Sequence, residues 1–74
     1  MAAARRAGRF SPTHDLFWAE ARRREGDTRG TRIIIAVLLL ERTMDSSAVI
    51  EGMTRVLSVG SIDPELVAIE AAAP

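Results

Sequence analysis

The chain has 74 residues, a formal net charge of zero and no cysteine, so disulfides, thiolate chemistry and the usual zinc sites are excluded and one small domain is the most it holds. The charge is polarised: residues 1 to 32 carry eight Arg against four acids, and residues 33 to 74 carry two Arg against six. All ten basic residues are Arg, which suits bidentate contacts to phosphate or carboxylate and equally suits a GC-rich genome.

Residues 1–10 form a basic segment with no continuous apolar core, which excludes a secretory signal and reads as a frayed or flexible end. A helical domain over 11–74 follows. Ser11-Pro12 opens its first helix, with Ser11 as N-cap, Pro12 at the first helical position and Asp15 in the first turn. Gly26 is expected to stop it. Phe17, Trp18 and Ala21 share a face with His14 one turn earlier, and Trp18 is the expected anchor. A lone His14 without a second His or a Cys reads as a partly buried or surface residue rather than a metal ligand. Arg22, Arg23 and Arg24 fan over about 200° of the helix, too wide for one coherent stripe. Cations near a helix C-terminus also favour the macrodipole without any ligand. Asp27 to Gly30 reads as a loop.

Residues 33–40 (IIIAVLLL) are apolar throughout. Local propensity is divided, because Ile33, Ile34, Ile35 and Val37 favour a strand while Ala36, Leu38, Leu39 and Leu40 favour a helix. Thr31 as a cap, Glu41-Arg42 as a continuing turn and the want of a second strand favour a helix over about 31–42. Spanning a membrane takes ~20 apolar residues, so a run of eight between Arg32 and Glu41 is too short. Having no polar side, it is expected to be a buried central helix, in which truncating Leu39 to Ala would cost ~2–5 kcal/mol.

Asp45 reads as the next N-cap, with Met44 stapled onto Val49. Val49, Ile50, Met53, Val56 and Leu57 make an apolar stripe, with Glu51 and Arg55 as an i,i+4 pair opposite. Gly60 closes this helix in the left-handed conformation, and Ile62-Asp63-Pro64-Glu65 opens the last, which runs to about Ala72 with Leu66, Val67 and Ile69 on its apolar side. The fold class is therefore all-α, a small bundle of about four helices around the central one.

From Gly8 to Ala71 the order of these pieces resembles the segment near the C-terminus of IstA-type insertion-sequence transposases, which work with an IstB-type ATPase. The resemblance rests on FSPTHDLFW, on Gly30-Thr31 leading into a run ending LLLER, and on Gly60-Ser61-Ile62-Asp63-Pro64 followed by LVAIEA. It implies a metal-dependent DNA strand transferase whose DNA-binding region and ribonuclease-H-like catalytic core lie upstream. The expected role of this chain is a non-catalytic helical module, or a truncated remnant, of a bacterial, cytoplasmic transposase. Its expected partners are DNA, an IstB-like ATPase, the rest of a transposase or a second copy, with no membrane, cofactor, metal or catalytic residue. Candidate nucleic-acid contacts are Arg5, Arg6, Arg9, Arg22, Arg23 and Arg24. The alternative is a free-standing helical adaptor or nonspecific DNA-binding protein. The acids have local uses as caps, first-turn residues or solvated helix positions, so no carboxylate set for metal catalysis is expected.

Overall fold

The computed structural model describes residues 10–73, all of it helix, turn or cap, with no strand among them. The elements are α1 (Pro12–Leu40), α2 (Ser46–Ser58) and α3 (Pro64–Ala72). The all-helical class holds, but the described residues form three helices rather than about four. Asp27 to Gly30 is helical, not a loop, and α1 ends at Leu40 with Glu41 and Arg42 in the following turn.

α1 begins as its residues dictate. The Ser11 hydroxyl accepts from the His14 backbone N–H at 3.3 Å, the Ser11 N–H donates to His14 Nδ1 at 2.9 Å, and Pro12 fills the first position. Its 29 residues are not straight. Gly26 has φ 88° and ψ 168°, a conformation essentially reserved for glycine, and the helix doubles back there. In a straight helix His14 and Glu41 would stand about 40 Å apart. Instead His14 Nε2 lies 2.6 Å from Glu41 Oε2, and Trp18 Nε1 donates to Thr31 Oγ1 at 3.3 Å. Thr31 thus takes a cross-arm hydrogen bond in mid-helix and is not a cap. The two arms meet most closely where Gly30 passes Arg22: a Cβ on Gly30 would stand 2.6 Å from Arg22 Cα and backbone N.

α2 starts at Asp45, whose backbone has N-cap geometry but whose carboxylate accepts from the Ser47 hydroxyl and not from a helix N–H. It ends in a Schellman motif, with Gly60 at φ 80°, Gly60 N–H donating to Leu57 O at 2.9 Å and Ser61 N–H to Val56 O at 3.0 Å. Asp63 then caps α3, its carboxylate accepting from Glu65 N–H at 2.9 Å, with Pro64 at the first position. α2 and α3 cross at Gly52, where a Cβ would come within 2.8 Å of Val67 O. Ala71 packs on the core beside it and anchors the alanine-rich end of α3. Arg55 reaches across to Glu70 of α3 at 3.6 Å, in place of the expected pair with Glu51 on its own helix.

The core consists of Phe17, Ala21, Ile34, Val37, Val49, Met53, Val56, Ile62 and Val67. The α2 stripe reads as expected, with Val49, Met53 and Val56 buried and Ile50, Leu57 and Met44 packed around them. The apolar run does not. Only Ile34 and Val37 of residues 33–40 are buried, while Ile35 and Leu39 are 49% and 52% exposed. A domain this small has no second layer to cover the far side of a helix, so the run obeys helical periodicity despite its composition. On the first arm the anchor is Phe17, fully buried, and not Trp18, which lies partly buried against the core. On α3 only Val67 is buried; Leu66 and Ile69 face outward. No helix among the described residues is long and apolar enough to cross a membrane.

Candidate functional site

The arginines near the hairpin bend divide into two groups by what they touch. Arg22 lies over the Trp18 ring, its guanidinium carbon 4.3 Å from the ring centroid. Arg23 and Arg24 both converge on Glu20, with Nη2 of Arg23 2.5 Å and Nε of Arg24 2.7 Å from Oε2. Arg24 Nη1 also donates to Gly60 O at 2.6 Å, tying the bend to the α2–α3 turn. Arg22, Arg23 and Arg24, candidates for nucleic-acid contact, are exposed and each also has a partner within the protein. Arg5, Arg6 and Arg9 lie outside the described residues.

The hydrogen bonds from Arg23 and then Arg24 hold the Glu20 carboxyl down at about 2, from an ordinary 4.5. A depressed carboxyl pKa gives an interaction fully present above about 4.5 and lost as pH falls toward 2. Side-chain carbon NMR during an acid titration is expected to place the Glu20 midpoint at about 2; a midpoint at the ordinary 4.5 would contradict the Arg23–Glu20–Arg24 arrangement.

Arg29 and Arg32 belong to the other group. Both are exposed, one turn apart on the second arm of α1, and neither makes a hydrogen bond or ion pair among the described residues. With Arg24 they line an open cleft of about 580 Å³ whose other walls are Glu25, Ile33 and the turn Gly60–Pro64. Residues from the bend, the second arm and the α2–α3 turn are thus brought together by the fold. The sequence reading left Arg29 and Arg32 out; their spacing of three on one helix face was the available signal, but the facing turn, about thirty residues away in sequence, was not legible.

A second polar constellation runs through the other end of the molecule. His14 is fully buried, neither partly buried nor at the surface as expected. Because Nδ1 accepts the Ser11 N–H, Nε2 carries the proton and donates to Glu41, whose other oxygen accepts from Ser46 Oγ at 3.1 Å. Ser11 Oγ lies 3.0 Å from Nδ1, so Ser11, His14 and Glu41 stand in line as in a nucleophile, base and orienting acid. The order does not serve that chemistry. The hydroxyl caps a helix, Nδ1 is filled by the Ser11 N–H, and the imidazole is closed to any substrate. The network instead joins the start of α1 to its end and to the first turn of α2. Phe10 covers it, stacked on His14 at a 5.2 Å centroid separation and edge-on to Trp18 at 6.0 Å.

The remaining carboxylates are scattered, and no group of three or more metal-ligating His, Asp or Glu side chains occurs among the described residues. Glu20, Glu41 and Glu70, expected to be solvated, are bonded to Arg23 and Arg24, to His14 and Ser46, and to Arg55 respectively. No family model, curated protein or solved structure matches this chain.

Proposed function

We propose that this chain is a non-catalytic helical module of an IstA-like DNA transposase, contributing to assembly of the enzyme or to its contacts with DNA and an IstB-type ATPase. The observation that carries the reading is where the resembling pieces fall. FSPTHDLFW supplies the Ser11–His14 capping box and the Phe17 anchor, Gly30-Thr31 supplies the close crossing of the two arms and the Trp18 partner, and Gly60 to Pro64 supplies the stop of α2 and the start of α3. The resemblance therefore concerns residues on which the fold depends.

The non-catalytic part of the reading is supported by the carboxylates. Strand transfer needs about three of them converging on one or two metal ions, and here Glu20, Glu41, Asp45, Asp63 and Glu70 each hold a different partner. The assembly part is supported by large apolar side chains left outside, Val59 at 74% exposure, Leu16 at 64% and Ile69 at 62% among them. Co-expression with an IstB-type ATPase, followed by size-exclusion chromatography, tests the reading: co-elution is expected, and separate elution together with no adjacent ATPase or catalytic-core frame in the genome would move it to a free-standing adaptor. Incubation with terminal-repeat DNA and magnesium or manganese is expected to give no cleavage.

A further inference from the structure

Two guanidinium groups without a partner among the described residues, Arg29 and Arg32, stand in one cleft with a third, Arg24, that has donors to spare. We infer that this cleft binds the phosphate of a nucleotide, free or within a nucleic-acid strand, with Arg29 and Arg32 supplying the charge and Arg24 a further donor. This goes beyond the transposase reading, because it follows from the cleft alone and stands for a free-standing protein as well.

The number of donors favours phosphate over carboxylate. A carboxylate has two oxygens, and Glu20 at the bend already shares its pair between Arg23 and Arg24, whereas a phosphate offers more acceptor oxygens and more negative charge to three guanidinium groups. Arg24 is pre-positioned: Nε and Nη1 are fixed by Glu20 and by the Gly60 carbonyl, leaving Nη2 without a partner among the described residues. The lining is mixed. Ile33, Ile62 and Pro64 stand among the arginines and acids, and the sugar or base attached to a phosphate would lie against them, partly out of water. The volume, about 580 Å³, suits a nucleotide, and the open mouth lets a strand run through.

Glu25 and Asp63 also line the cleft and work against an anion. Asp63 is committed to capping α3 through Glu65 N–H. Glu25 is exposed, and neither hydrogen bond nor ion pair holds it among the described residues. It lowers affinity by plain repulsion, so its neutralisation should strengthen binding, which a merely structural cleft would not do.

The test uses the full chain with deoxyadenosine monophosphate, a short single-stranded oligonucleotide and an acidic peptide of similar length, followed by amide chemical shifts and fluorescence anisotropy. Shifts are expected at Arg29, Arg32, Ser61 and Ile62 with either phosphate ligand. The double variant R29A/R32A should lose at least about tenfold in affinity, as expected for two charge-assisted contacts, with an unchanged circular dichroism melt because both side chains are exposed. Its salt dependence on the oligonucleotide should flatten by about 1.4 in logarithmic slope. Glu25→Gln should bind more tightly than the parent. Equal binding of mononucleotide and oligonucleotide identifies a nucleotide site, and tighter oligonucleotide binding identifies a strand site. Unchanged affinity in R29A/R32A, shifts confined to residues 1–9 or to Arg22 and Arg23, or binding of the acidic peptide as tight as that of the phosphates, would each overturn the inference.

Discussion

Replacing Gly30 by Val is expected to disrupt the α1 hairpin, costing about 3 kcal/mol or more. The cause is backbone against backbone: an added Cβ would meet Arg22 Cα and N at 2.6 Å, and neither atom can rotate away as a side-chain end could. The arms would have to part by roughly the difference from an ordinary contact of about 3.5–4 Å, lifting Ile34 and Val37 from Phe17 and Ala21. Valine's helix propensity is a few tenths of a kcal/mol better than glycine's and offsets little of this. Gly26→Ala is the informative comparison, because nothing lies within 4 Å of its added Cβ and the whole penalty is strain at φ 88°, about 1–3 kcal/mol. Urea unfolding monitored by circular dichroism measures both. A Gly30→Val variant as stable as the parent would mean that the arms do not cross at Arg22.

Phe17→Ala carries the other large effect, about 3–5 kcal/mol, since the ring is fully buried in the one core cluster, with Ile34, Val37, Val49, Met53 and Val56, and its loss would leave a cavity there. Total stability for a chain of this length is on the order of 4–11 kcal/mol, so the variant should be largely or wholly unfolded at moderate temperature. Leu39→Ala should cost only about 1 kcal/mol, because half of that side chain is already in water and little cavity results. Thermal melts of the two variants side by side decide between this core and one centred on residues 33–40: a larger loss for Leu39 than for Phe17 would mean that the apolar run is the centre after all. A shift of 1 kcal/mol moves the midpoint of a domain this size by about 4–8 °C, so the difference is easily resolved.

The caps were legible because each is written in a few adjacent residues. Ser11-Pro12, Gly60 and Asp63-Pro64 can be read without knowing what the helices pack against, since Pro φ, glycine's freedom at positive φ and a short side chain reaching a nearby N–H are all local physics. The α2 stripe was legible for a related reason: its polar residues mark the outward face, so Val49, Met53 and Val56 could be assigned inward by spacing alone. Where that marking fails, so does the reading. Residues 33–40 have no polar member to say which side is out, and it is the neighbouring arm, touching the Gly30, Ile34, Val37 and Glu41 side, that leaves Ile35 and Leu39 in water.

The choice between Phe17 and Trp18 shows the same limit at a single residue. Both sit on adjacent positions of one helix face, and size alone favoured Trp18, but a Trp needs a partner for its indole N–H, and Thr31 offers one at the edge of the core rather than inside it. His14 and Glu41 are 27 residues apart, and the bend that brings them together depends on one glycine whose consequence for direction is not local. The cleft is the same case, with Arg29 and Arg32 on one helix face but facing Gly60 to Pro64 only because the hairpin sets the second arm against the α2–α3 turn.

The sequence by itself determined the helical class, the stops and starts of α2 and α3, the opening of α1 and the inward face of α2, because capping and one-sided periodicity are short-range effects. Only the tertiary structure decided that α1 folds back at Gly26 without a loop, that Phe17 and not the apolar run lies at the centre, and that His14 is paired with Glu41 while Arg29 and Arg32 line a cleft with no partner among the described residues. Those outcomes depend on which surfaces meet, and in a chain with too few residues to surround any helix completely, every meeting of two surfaces leaves a third exposed.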